Sequence, residues 1–331
     1  MELNVARLVD RGIAAVVGIQ KMFSDGWGDP DLLADLIERT NHFREPASID
    51  VNWRPGHQRL DGLHLFEGSF ESPDMSLPLP PESRTAYFQL LLPEDAFDGR
   101  LPAVCVHLAG SGDATYAARR VLSAPLARQT DIGALILQNP FYGERRPEGQ
   151  PGTKLRTVTD QFAMNLATIE EARSLLRWLR EDGYERIGLT GYSMGGYMAA
   201  MVAQLVPYRI AVVPCAAGDT VVPPIIHSPL SNLYDWRTLA AQLPPDDSPK
   251  ALMTRIMRRF AISKHGQLDH PETAIVMGSI RDEFIPPSEV MKLHKHWEGS
   301  ELRWMDAGHT TGWALHGAEM RDAVRDAFSR L

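Results

Sequence analysis

Cysteine is scarce in this 331-residue chain: there are two, Cys105 and Cys215. Both sit in apolar runs and read as small buried hydrophobes; they could pair only if the fold brings them together, and a sizeable core needs no disulfide staple. No His-Glu-x-x-His and no Cys-x-x-Cys occurs, and no Lys follows a glycine-rich turn in phosphate-loop spacing, so neither a metal nor a nucleotide phosphate is implied. No cofactor is expected. Basic charge is not in excess: Lys+Arg 34 against Asp+Glu 42 gives a formal net charge of −8, which argues against broad nucleic-acid binding. Long apolar runs are missing too. The stretch Ile13 to Ile19 is far below the ~20 residues that span a bilayer, so no integral membrane segment is expected. The start, Met1-Glu2-Leu3-Asn4-Val5-Ala6-Arg7, lacks a basic n-region and a small-residue cleavage site; a cytoplasmic protein is the expectation. No repeat recurs at a 20–50-residue period.

What remains is an ordinary globular composition, 44% apolar and 23% charged, long enough for a sizeable core. Residues 1–58 read as an N-terminal helical extension, with Asp29-Pro30 as N-cap and first-turn proline of a helix through Ile37. From residue 59 onward short apolar strands alternate with helical patterns. The strands are expected near Leu60 to Phe70, Tyr87 to Leu92, Ala103 to Leu108, Ala134 to Leu137, Ile187 to Thr190, Ile210 to Val213, Ala274 to Met277 and Leu302 to Met305. Strands without polar alternation are buried on both faces, and strand–helix alternation predicts an open, mostly parallel sheet flanked by helices. The connection 219–271, between the sixth and seventh strands, is far longer than a plain crossover and reads as a lid or cap.

Gly191-Tyr192-Ser193-Met194-Gly195-Gly196 fits G-x-S-x-G between an expected strand and an expected helix. Such a tight turn needs small residues on either side of the serine and projects its hydroxyl above the sheet. A serine needs a base, and the chain order for this arrangement is Ser, then an acid, then His. His309, after the last strand, is the expected base; Asp282, after the preceding strand, is the expected acid, with Glu283 competing and Asp306 weaker. The oxyanion donors are expected to be the backbone N–H of Met194 and one from His107-Leu108-Ala109-Gly110-Ser111-Gly112-Asp113, with Ala109 favoured and Leu108 second. Leu108, Asn139, Tyr142 and Tyr192 are candidate substrate contacts. Arg119 and Arg145 could clamp an anionic group, against the plainer reading that they pair with acids such as Asp113 or Glu144 to pin loops.

Together these blocks resemble the α/β-hydrolase superfamily, and within it the abhydrolase-domain-containing protein eighteen family. The resemblance runs from Leu101 to Phe328. It is carried by the His107–Asp113 stretch with Arg119-Arg120, Gln138-Asn139-Pro140-Phe141-Tyr142-Gly143 with Arg145 and Pro147, the serine turn, Val213-Pro214-Cys215, Asp282-Glu283-Phe284-Ile285-Pro286, Trp297 and Gly308-His309. It implies an α/β-hydrolase fold over 59–331 and a Ser193–Asp282–His309 triad, with Asp282 preferred because proline follows four residues later. It also implies hydrolysis of an acyl ester, from a small molecule or a lipid; a thioesterase is the further alternative. A ligand-binding protein on the same fold is the non-catalytic reading. Oligomeric state is left open.

Overall fold

The computed structural model describes residues 5–96 and 101–331. Among the described residues ten strands form one sheet: β1 (Asn52–Trp53), β2 (Gln58–Leu60), β3 (Leu63–Glu71), β4 (Thr85–Pro93), β5 (Ala103–Leu108), β6 (Ile132–Leu137), β7 (Ile187–Tyr192), β8 (Ala211–Cys215), β9 (Ile275–Ser279) and β10 (Glu301–Met305). Their spatial order is β1-β3-β4-β6-β5-β7-β8-β9-β10, with β2 on β3. From β6 to β10 every pairing is parallel. The N-terminal strands add an antiparallel margin through β4, which runs against β6. The sheet is therefore mixed: β6 to β10 form the parallel block the sequence predicts, and the exchange of β5 and β6 out of chain order marks a switch point. In such sheets the crevice beyond the strand C-termini is where ligands bind.

Burial explains why the strands were legible. β5, β6 and β7 are buried at every position, on both faces, so they read as continuous apolar runs. The helices that cover them were legible through their caps. Asp29 accepts from the N–H groups of Asp31 and Leu32 and opens the helix Pro30–Arg39. Thr157 and Asp160 form a reciprocal capping box that starts the long helix Val158–Glu181. Two short helices, Pro223–His227 and Pro229–Leu233, and then Trp236–Ala241 and Pro249–Met257 occupy the stretch between β8 and β9. They pack with the N-terminal segment in a second apolar cluster that includes Phe23, Leu36, Phe162, Leu233 and Met253. The backbone of Met22 joins this contact, donating to Leu233 O at 2.8 Å and accepting from Asp235 N at 2.9 Å.

The first helix, Val5–Val17, behaves differently from its hydrophobic pattern. Its buried residues are Asp10 and Ala14, whereas Val5, Leu8 and Val16 are 68%, 50% and 64% exposed. The face that packs is the small-residue face, and it packs close to His309. Both cysteines are buried and free.

Candidate active site

Ser193 lies between β7 and the helix Met194–Ala203, with φ 57° and ψ −118°. A positive φ at a non-glycine residue stores strain that the surroundings must hold. The glycines hold it here by letting backbones touch. A Cβ on Gly191 would fall inside the backbone of Gly195, and one on Gly195 would fall against the carbonyl of Leu108 and the backbone of Ala109. The turn that carries Met194 is thus pressed against the loop that carries Ala109, and Ser193 N donates to Cys215 O at 2.9 Å.

Two further loops, each beyond a strand C-terminus, meet beside this turn. His309 Nδ1 is 2.7 Å from Asp282 Oδ2, and the two side chains are 10% and 1% exposed. Asp282 is oriented by two backbone donors, Phe284 N and Ile285 N, each 2.8 Å from Oδ1. Pro286 precedes the helix Pro287–His296, so the loop from Asp282 is short and closed into a tight turn. The Tyr192 hydroxyl donates to His309 O at 2.5 Å. Burial, and then the Asp282 carboxylate, raise the Tyr192 phenol well above its ordinary range, so it stays a neutral donor. The rings of Phe284 and Tyr192 flank His309 at 4.9 and 5.2 Å between centroids.

Ser193 and His309 line the same cavity of about 550 Å³. Its apolar wall includes Leu108, Met198, Ile225, Leu230, Leu233 and Phe284, and the first helix adds Ile13 and Val17. Gly110, Ser111 and Gly112 edge it, and Lys154, Gln161 and Asn165 give it a polar side. Lys154 donates to Val17 O at 3.0 Å, and burial pushes its ammonium below the ordinary lysine range.

A family model described as alpha/beta hydrolase domain containing 18 matches residues 20–259 and 245–330. The chain belongs to this family. Curated relatives include an uncharacterized protein of Mycobacterium tuberculosis (strain CDC 1551 / Oshkosh), 26% identical over 217 residues, the match covering 62% of this chain and 49% of the relative. The chain therefore spans about half the length of the curated relatives it matches. Among solved structures, it is similar to an acetyl xylan esterase from Paenibacillus sp. R4, with a TM-score of 0.59 at 18% identity, covering 94% of this chain and 98% of the other. It is also similar to an S-formylglutathione hydrolase from Agrobacterium tumefaciens, with a TM-score of 0.51 at 15% identity, covering 86% and 100%. At these identities the likeness establishes the α/β-hydrolase fold, and the family description supports a hydrolase.

The other sequence candidates of this family member divide in two. Leu108, Tyr192 and Arg119 border the cavity; Ala109, Asn139, Tyr142 and Arg145 do not line it. Both arginines are paired with acids, as the plainer reading of the sequence has it. Arg145 is fully buried and bidentate to Glu171, at 2.8 and 2.5 Å, and it also donates to Gln138 O and Ser83 O, both at 2.7 Å. Its sequence position beside the strand end suggested reach to substrate, but the long helix supplies Glu171 on the opposite side. Arg119, 3% exposed, donates to Asp113 at 2.7 Å and to His107 O at 3.1 Å, and also bonds Leu137 O. It ties the ends of β5 and β6. Tyr142 supports the loop from behind, its hydroxyl accepting from Gly112 N at 3.5 Å.

Of the competing acids, Glu283 is paired with Arg7 and Arg11 at 3.2 and 3.0 Å, and Asp306 with Arg281 at 2.5 Å. His316 faces Glu319 at 2.9 Å. His107 borders the cavity, and burial, aided by the Arg119 charge, pushes its imidazole down to about 3. Sequence reasoning missed Lys154, Phe284 and above all Asp10. Asp10 carried one faint signal, an acid at i+4 from Ala6 and i−4 from Ala14 on the small face of a helix.

Proposed function

We propose that the protein is a serine hydrolase of carboxylic esters acting through an acyl-enzyme. Ser193 attacks the acyl carbon, while His309 takes the hydroxyl proton and returns it to the departing alcohol. Asp282 fixes the tautomer of His309 and stabilises the imidazolium that forms. The N–H of Met194 receives the oxyanion, with a second N–H from the loop after β5, where the backbone of Leu108 and Ala109 packs against the serine turn; each is worth about 2.7–4 kcal/mol in comparable chemistry. Water then attacks the acyl-enzyme with His309 as base. Residues 219–271 act as the cap over the cleft.

The observation that carries this reading is a serine at φ 57°, bordering one cavity with a histidine whose far nitrogen is 2.7 Å from a buried carboxylate. A structural serine gives no reason to hold a strained backbone beside an oriented imidazole. The apolar wall favours an acyl chain, so a lipid acyl ester is the second reading, and a thioester of similar acyl length would meet the same groups.

The test is hydrolysis of p-nitrophenyl esters from short to long acyl chains by wild type and Ser193→Ala, beside labelling with a fluorophosphonate. Turnover and labelling are expected in the wild type. Ser193→Ala is expected to lose about 10⁴–10⁶-fold in kcat while folding normally. Undiminished hydrolysis by Ser193→Ala refutes the assignment, and wild type that neither turns over nor labels marks a non-catalytic ligand-binding protein.

A further inference from the structure

The N-terminal helix Val5–Val17 sends a carboxylate under the loops that carry His309 and Asp282. Asp10 is 0% exposed, and among the described residues no cationic side chain forms an ion pair with it. Its partners are backbone amides. Oδ2 accepts from His309 N at 2.8 Å and from Glu283 N at 3.2 Å, and Oδ1 accepts from Thr310 N at 2.8 Å. A buried carboxylate without a counter-charge is unfavourable unless its lone pairs are filled, and here they are filled by three N–H groups.

The choice of amides matters. One belongs to His309 itself. Another belongs to Glu283, the residue that follows Asp282. The two loops that must present an imidazole and a carboxylate 2.7 Å apart are therefore pinned to one common acceptor. Their own strands, β9 and β10, fix where the loops begin but not how they turn.

A second contact says the same. A Cβ on Gly308 would lie 2.8 Å from Asp10 Oδ2 and 2.9 Å from Ala6 O, so the helix sits on the loop with no room for a methyl group. Gly308 itself has φ −83°, which alanine adopts freely. Any effect of a methyl there must act through the neighbours it meets. Arg7 and Arg11 add ion pairs to the Glu283 side chain, and Ile13 and Val17 on the same helix border the cavity.

We propose that Asp10 is a positioning residue for the catalytic base: the helix Val5–Val17 delivers a backbone-directed carboxylate that holds His309 and the Asp282 loop in register. This inference rests on the serine-hydrolase reading, in which His309 must be aimed at Ser193 to within a fraction of an ångström. Misplacement of about 1 Å in such a site costs on the order of 10²-fold in rate.

The experiment compares wild type, Asp10→Ala, Asp10→Asn, Gly308→Ala and Val16→Ser. It measures p-nitrophenyl ester kinetics, the fluorophosphonate labelling rate, thermal melting and amide hydrogen exchange over residues 306–315. Asp10→Ala is expected to lower kcat about 10–100-fold with KM within about twofold, to slow labelling in parallel, and to speed exchange at residues 309 and 310. Asp10→Asn keeps one acceptor oxygen and is expected to recover part of the loss. Gly308→Ala reproduces the loss from the other side of the contact, and Val16→Ser, on the exposed face, behaves as wild type. If Asp10→Ala does not fold, Asp10→Asn and Gly308→Ala decide by the same split between kcat and KM. Unchanged kcat in the Asp10 and Gly308 variants overturns the inference while Ser193-dependent turnover leaves the hydrolase reading intact. So does a loss matched by an equal rise in KM. Absence of turnover and labelling in the wild type overturns both.

Discussion

Replacing Arg145 with methionine separates a substrate clamp from a structural brace. Arg145 and Glu171 are both 0% exposed at the side chain, joined by two N–H···O bonds, and Arg145 also satisfies the carbonyls of Ser83 and Gln138. Removing the guanidinium leaves a buried carboxylate without its partner, which destabilises by about 3–5 kcal/mol. The two carbonyls lose their donor as well, so the upper end applies. For a chain of this size that corresponds to a fall in melting temperature on the order of 10 °C. Methionine fills similar volume, so a cavity adds little. The double variant Arg145→Met with Glu171→Leu removes both charges and is expected to recover most of the stability, because a well-packed apolar pair replaces a buried ion pair nearly neutrally. The coupling between the two sites should then be several kcal/mol, since neighbours in one network are not additive. Differential scanning fluorimetry and urea unfolding measure the stability, and KM for a neutral and a carboxylate-bearing p-nitrophenyl ester measures the site. A selective rise in KM for the anionic ester at unchanged stability would refute the brace and restore the clamp.

Other substitutions test other parts of the arrangement. Asp282→Asn keeps the shape but offers His309 the wrong hydrogen-bond partner, and kcat should fall by about 10⁴-fold with KM little changed in steady-state kinetics. Tyr192→Phe removes the 2.5 Å bond to His309 O, but that carbonyl keeps its place in the helix His309–Leu315, so stability should fall by only about 0.5–1.5 kcal/mol in urea titration. Cys215, its thiol pushed up to about 12 by burial, should stay unreactive toward a disulfide reagent at neutral pH until denaturant is added. His107 is neutral when folded down to about pH 3, whereas the unfolded chain binds its proton near 6.5. The unfolded state therefore holds more protons between those values, so the contribution of His107 falls as pH drops from about 6.5 toward about 3. His107→Gln should flatten the pH dependence of the urea midpoint across that window.

The parts of this protein that sequence made legible are those governed by local rules. β5, β6 and β7 read as strands because burial on both faces leaves uninterrupted apolar runs, and Asp29 and Thr157 announce helix starts through hydrogen bonds made within a single turn. Ser193, Asp282 and His309 could be nominated because chain order and position after a strand end are both one-dimensional facts. The arginines could not be resolved the same way. Whether Arg145 faces a cavity or Glu171 depends on where a 24-residue helix lies across the sheet, and nothing adjacent to Arg145 records that. The antiparallel margin was hidden for a similar reason: the apolar pattern of β3 and β4 does not state the direction in which they pair.

Asp10 shows where local reading reverses itself. On periodicity, Val5, Leu8, Ile13 and Val16 should turn inward and an aspartate beside them should face water. In the fold the aspartate is buried while Val5, Leu8 and Val16 are largely exposed and Ile13 borders the cavity, because the turn of the first helix around Asp10 covers a loop whose N–H groups need an acceptor. A small residue, Ala6, lets its backbone come close enough for a short carboxylate to reach them. The chemistry of the partner therefore decides which face of a helix is buried. A binding partner made of backbone amides leaves no apolar signature in the helix that serves it, so a carboxylate that accepts from His309 N can stand some 300 positions away and look like solvent-facing charge.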